Sequence, residues 1–201
     1  MSDQWMIPES CRTLPGENSV DRLGVAWQMI SLLQGRIDSA PKVDSRTEWT
    51  KWIKEGLFSL TSKEDFCFSP KEAGSTEGEF MRLDFCCEEK VYPKRIILAA
   101  ESELDDSKVR GERVEQDFEK LLAVKSPFKL MVYSSAREGC TNLAIVEKLE
   151  LNIQNYGHHL MGETYIFMDY NEHSGKNGSF IAHTWQLCKS VAQAKLDQYL
   201  T

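Results

Sequence analysis

Arg95-Ile96-Ile97-Leu98-Ala99-Ala100-Glu101-Ser102-Glu103 is an apolar run that ends abruptly in acid. Apolar residues at successive positions read as a strand buried on both faces. Carboxylates at the end of such a strand are costly unless paired or bound to a cation. With a period of two, Glu101 and Glu103 project from the same face. Upstream, Phe80-Met81-Arg82-Leu83-Asp84-Phe85-Cys86-Cys87-Glu88 alternates, which puts Met81, Leu83, Phe85 and Cys87 on one face and Arg82, Asp84, Cys86 and Glu88 on the other. Only Glu89 to Lys94 separate the two runs, with Tyr92-Pro93 at the bend, so a hairpin brings Asp84 roughly opposite Glu101. Directly opposed residues have Cβ atoms ~5 Å apart. Two carboxylates at ~4 Å repel by ~4 kcal/mol at an effective dielectric of about 20. Asp84, Glu101 and Glu103 together therefore need a divalent metal or a shared proton, and the pattern reads as a metal site.

Composition excludes more than it identifies. A chain of 201 residues, 41% hydrophobic and 27% charged, is read as one domain with a substantial core. No apolar run approaches the ~20 residues of a membrane span. Met1-Ser2-Asp3-Gln4-Trp5 lacks the basic and apolar regions of a signal peptide, so a cytoplasmic location is expected. The six cysteines (11, 67, 86, 87, 140 and 188) form no Cys-x-x-Cys pair, and reduced thiols are expected rather than zinc chelation or a disulfide framework. A net charge of −7 argues against constant non-specific coating of nucleic acid. It leaves room for a local basic groove, or for a metal that supplies positive charge.

The periodicity predicts a helix over 19–37, with Val20, Leu23, Trp27, Ile30 and Leu33 or Gln34 at helical spacing. After a link around Pro41, Asp44 or Ser45 caps a second helix that carries Trp49, Trp52, Ile53 and Leu57 and ends near Leu60. Trp27, Trp49 and Trp52 are read as helical core. A short strand at 66–68, a loop at 74–78 and the two acidic strands follow. Val114, Phe118, Leu121 and Leu122 form the buried stripe of a helix over 112–125, and Phe128 to Ser134 reads as another core strand. Further on come a helix over 142–155, strands over 163–170 and 179–184, and a terminal helix over 190–200. The single domain thus has an N-terminal helical part (1–60), a core (61–135) and a C-terminal part of helices and hairpin (136–201).

The order helix, strand, strand, strand, helix, strand from Glu48 to Ser134 resembles the restriction-endonuclease-like fold, the PD-(D/E)xK nuclease superfamily. Asp84 stands where that family has its strand aspartate, and Glu101-Ser102-Glu103 stands at the end of the next strand. Asp117-Phe118-Glu119-Lys120-Leu121-Leu122 then leads into the Lys129-Leu130-Met131 strand. Two departures are plain: Glu103 replaces the usual lysine, as in the Glu-x-Glu restriction enzymes of the fold, and Leu83 rather than proline precedes Asp84. The resemblance implies a three-layer α/β/α domain with a mixed central sheet, in which strand 128–134 runs parallel to strand 95–103 and helix 112–125 makes a right-handed crossover. It implies phosphodiester hydrolysis with Mg²⁺ or Mn²⁺ held by Asp84 and Glu101. Glu103 would orient or deprotonate the attacking water. Because position 103 is acidic, a stabilising positive charge must come from elsewhere, and Lys120 is the candidate. Glu48 would be an accessory acid. The expected partner is nucleic acid, DNA before RNA, and such nucleases often pair as homodimers to cut both strands.

Bland readings stand beside these. Lys120 reads first as a surface partner of Asp117 or Glu115 on its helix, Glu48 reads first as a capping-box acid, and Glu103 can open a polar loop with Asp105 and Asp106. His158-His159 after Tyr156-Gly157 reads as a helix terminus, His173 as a loop residue, and His183 as a core residue. Ser134-Ser135 near Glu138 and Cys140 has no partner at nucleophile spacing. The missing lysine and acidic charge favour the alternative function, a nuclease-like fold without catalysis that serves as a binding or regulatory module.

Overall fold

A computed structural model describes residues 19–39, 46–59, 66–70, 80–90, 92–104, 110–134, 142–159, 162–171, 179–186 and 195–199. The expectations for the amino-terminal residues, the Asp44 or Ser45 cap, the 74–78 loop, Asp105, Asp106, Ser135, Glu138, Cys140, His173 and Cys188 lie outside the described residues.

Two helices open the described chain, α1 (Ser19–Ser39) and α2 (Arg46–Ser59). The remaining elements are β1 (Phe66–Ser69), a 3-10 turn (Phe80–Arg82), β2 (Phe85–Glu89), β3 (Ile96–Glu103), α3 (Arg110–Ala123), β4 (Phe128–Tyr133), α4 (Asn142–Asn155), β5 (Thr164–Asn171), β6 (Ser179–Gln186) and β7 (Lys195–Tyr199). The strands form one seven-stranded sheet whose spatial order is the chain order. β3, β4 and β5 are parallel neighbours in its middle, and every pairing outside them is antiparallel. The chain is an α/β protein, with α3 and α4 as the connections that parallel neighbours require.

The central strands read as continuous apolar runs because they bury alternate residues in two separate cores. Leu130 and Val132 of β4 join Ala26, Met29, Ile30 and Leu33 of α1 and Ile53 and Leu57 of α2. Met131 and Tyr133 join Val114, Phe118 and Leu121 of α3 and Ile145, Leu149 and Ile153 of α4. The stripe of α1 therefore runs through Ala26 rather than Trp27, which sits about 100° round the helix and is exposed. Trp49 and Trp52 pack at the border of the first core as expected, with Trp49 4.4 Å from the Tyr170 ring. Among the described residues, Cys67, Cys86 and Cys87 form no disulfide.

Two expectations are corrected. The first acidic strand begins at Phe85, not at 80, because Met81 (φ 51°) and Arg82 (φ 59°) adopt the left-handed conformation and break the extended chain. Strand alternation is lost across the break: Leu83 joins the α3 core, whereas Phe85 and Cys87 face α1 and α2, and Met81 is 52% exposed. The helix expected over 190–200 is replaced by β7, which pairs antiparallel to β6 with Leu196 opposite Trp185. An unpaired β6 edge offers backbone donors and acceptors that a neighbouring segment satisfies as a strand.

Candidate functional site: paired carboxylates between two lysines

Phe85 pairs with Ala100 in the β2–β3 ladder, so Asp84, one step beyond, stands alongside Glu101. The juxtaposition expected from the hairpin is present. Glu101 and Ser102 are consecutive and face opposite sides of β3. Glu101 meets α3, where its Oε1 accepts from Lys120 Nζ at 3.2 Å. Ser102 meets α2, where its Oγ lies 3.1 Å from Thr50 Oγ1.

Asp84 is fixed from the α2 side. Its Oδ2 accepts from the Ser102 backbone N–H at 2.9 Å and from Ser102 Oγ at 2.7 Å. The single Ser102 hydroxyl proton goes to Asp84, so Thr50 is the donor to Ser102 and the three residues form a chain. Asp84 Oδ1 lies 3.8 Å from Lys54 Nζ. On the other face, Lys120 also meets Asp117 Oδ1 at 2.7 Å and approaches the Arg82 carbonyl at 3.5 Å. Lys120 is thus the partner of Asp117 expected from helical spacing, and it also reaches Glu101.

Electrostatics set Glu101 apart. It is 3% exposed, and burial, followed by the charge of Asp84, pushes its carboxyl up to about 9 against the pull of Lys120, with Asp117 adding to the rise. At neutral pH one oxygen therefore carries a proton while the other accepts from Lys120. Burial works against the Lys120 ammonium, but the hydrogen bond to Asp117 and the charges of Glu101 and Asp117 outweigh it and raise its pKa.

Not every candidate joins this site. Glu103 ends β3 half-buried, opposite Tyr133 of β4. Among the described residues no three His, Cys, Asp or Glu side chains gather closely enough to hold a metal ion, so Glu103 does not complete a three-carboxylate cluster. Glu48 is exposed in the first turn of α2. Sequence reasoning missed Thr50, Lys54 and Ser102, and it named Asp117 only as a surface partner of Lys120. A signal existed for Lys54: with Thr50, Ile53 and Leu57 it falls at the i, i+3, i+4, i+7 spacing of a buried stripe.

The donor set fits a small hard cation only in part. Mg²⁺ is commonly held by one or two carboxylates, with waters and phosphate oxygens completing its shell. Asp84 Oδ1 and the second oxygen of Glu101 are the two protein oxygens free of close donors in this arrangement.

A second polar cluster was also missed. Lys129, alone among the apolar residues of β4, is wholly buried and meets Glu163 Oε2 at 3.0 Å and Tyr165 Oη at 3.1 Å. Burial lowers the Lys129 pKa against the opposing charge of Glu163. His159 has the helix-terminus role expected of it and joins this cluster as well: Nε2 donates to the Ile153 carbonyl in the last turn of α4 at 2.5 Å, and Nδ1 lies 2.9 Å from Tyr165 Oη. Tyr165 has one proton to give, either to His159 or to Glu163 Oε2 at 2.8 Å. His158 is exposed, and its carbonyl accepts from Lys125. His183 is a core residue as expected, its pKa lowered by burial.

No helix of the described residues is long and apolar enough to cross a membrane. Compared with known proteins, the chain matches no family model, no curated protein and no solved structure.

Proposed function

We propose that the chain is a metal-dependent nuclease of restriction-endonuclease-like, three-layer architecture, acting on nucleic acid with DNA as the first candidate. One observation carries the reading: two neighbouring carboxylates, Asp84 and buried Glu101, with Lys120 at 3.2 Å from Glu101. A scaffold gains nothing from a carboxyl group held at such a disadvantage, whereas a divalent cation removes the disadvantage. Asp84 and Glu101 would hold Mg²⁺ or Mn²⁺, which when bound neutralises phosphate charge and makes water nucleophilic.

The chain's own residues do the rest. Ser102 aims the Asp84 carboxylate by hydrogen bonding to its Oδ2, and Thr50 orients the Ser102 hydroxyl in turn. Lys120, reaching over from α3, supplies the ammonium that the Glu-x-Glu sequence lacks, close to where charge builds on a phosphate. Glu103, two residues beyond Glu101 and outside the metal-holding pair, would orient the attacking water. The test is cleavage of supercoiled plasmid and of single strands with Mg²⁺ or Mn²⁺. Wild type should cut at least one, and Asp84→Asn should cut neither while melting as a folded protein.

The binding-module alternative has its own supporting observation. Lys54 already lies 3.8 Å from Asp84 and Lys120 3.2 Å from Glu101, and no third ligand gathers among the described residues. A wild type that cuts neither substrate, and whose melting temperature ignores millimolar Mg²⁺ and Mn²⁺, would establish that reading.

A further inference from the structure

Lys54 sits where the periodicity of α2 calls for an apolar side chain, and it is 4% exposed. An ammonium placed there is costly unless it faces negative charge. It faces Asp84 Oδ1, the oxygen that the two Ser102 hydrogen bonds leave open. At 3.8 Å the contact is an attraction of charges rather than a hydrogen bond, so the oxygen keeps its lone pairs for another cation. Asp84, Glu101 and Asp117, the other partner of Lys120, provide at most three negative charges, and Lys54 and Lys120 two positive ones. A divalent ion therefore leaves an excess of positive charge, which an anionic phosphate is suited to offset.

We propose that Lys54 is an internal counter-ion of Asp84, holding the cation's place in the resting protein and turning to a phosphate oxygen when the metal arrives. This rests on the reading of Asp84 and Glu101 as metal ligands and adds a consequence. Metal alone binds weakly, and metal and nucleic-acid phosphate strengthen each other's binding. Lys54 is thus a positioning and specificity residue, selecting for the metal together with an anionic substrate.

The experiment is a Mn²⁺ titration of the full chain, read by electron paramagnetic resonance of the free ion, with and without an oligodeoxythymidylate. Lys54→Met, similar in length and apolar, should bind Mn²⁺ alone about tenfold more tightly than wild type. Lys54→Arg, which keeps the charge, should stay close to wild type. The oligonucleotide should tighten Mn²⁺ binding in wild type and much less in Lys54→Met. Circular-dichroism melts verify that each variant is folded. Equal or weaker Mn²⁺ binding by folded Lys54→Met, with binding still lost in Asp84→Asn, overturns the role of Lys54 and leaves the metal site standing. Tighter binding with an undiminished oligonucleotide effect overturns the transfer to phosphate. Absence of Mn²⁺ binding in wild type and every variant removes the metal site and this inference together.

Discussion

Glu101 holds its proton far more tightly in the folded chain than a carboxyl does in water, and stability must register the difference. Its pKa moves from the ordinary 4.5 to about 9, chiefly through burial. Between those values the folded state binds the extra proton and the unfolded state does not. The group's effect on stability is therefore neutral below the lower value and grows steadily unfavourable as pH rises through the window, by up to about 1.4 kcal/mol per pH unit. Glu101→Gln, which cannot ionise, should match wild type in melting temperature near pH 4.5 and exceed it progressively towards pH 9. Equal pH dependence in the two proteins would show that Glu101 is not the buried acid described. Lys120 makes a different kind of contribution, since it is 35% exposed and shared between Glu101 and Asp117. Under the nuclease reading, Lys120→Met should lower kcat by about 10²–10³-fold, the usual loss on removing one group that stabilises transition-state charge. Cleavage kinetics at saturating Mg²⁺ check this.

Among the elements, the turn before β2 does the most to place the site. Met81 and Arg82 hold the left-handed conformation, and the Arg82 carbonyl receives Lys120. Such a conformation costs an L-residue roughly 1–2 kcal/mol, and glycine avoids that cost while loosening the unfolded chain. Met81→Gly should thus stabilise the protein by about 0.5–1 kcal/mol in urea unfolding, with no change in the Asp84 contacts. This turn was invisible in the sequence, where Met81, Leu83, Phe85 and Cys87 alternate without a break. The nearness of Asp84 and Glu101 was legible, because a short connection between two strands leaves little choice of pairing. Lys54 was passed over since lysine reads as a surface residue, although its helical position places it inwards. The helical pattern near the carboxyl end gave way to β7 because pairing with β6 is a tertiary contact that local periodicity does not encode.

At the scale of the molecule, the charged sites lie at the two ends of the parallel strands. Asp84 and Glu101 gather at the carboxyl end of β3, while Lys129 and Glu163 meet where β4 and β5 begin. The second pair is fully buried, so Glu163→Leu should destabilise by about 3–5 kcal/mol by leaving Lys129 without its counter-charge. The double variant Lys129→Met, Glu163→Leu should recover most of that loss, as thermal unfolding would measure. Under the nuclease reading, cleavage should persist in the double variant, since neither residue touches the carboxylate site.

The agreement between strand order and chain order has a consequence for how the sheet comes apart. Each strand hydrogen-bonds only to its predecessor and successor in the chain, so a strand can detach from either border without opening a gap between the others. Amide hydrogen exchange should accordingly be slowest in β3, β4 and β5 and quicken outwards to β1 and β7. A chain ending after residue 186 keeps β1 to β6 contiguous, and with them every residue of the carboxylate site. It should fold and retain that site, behaving like a fan closed by one rib.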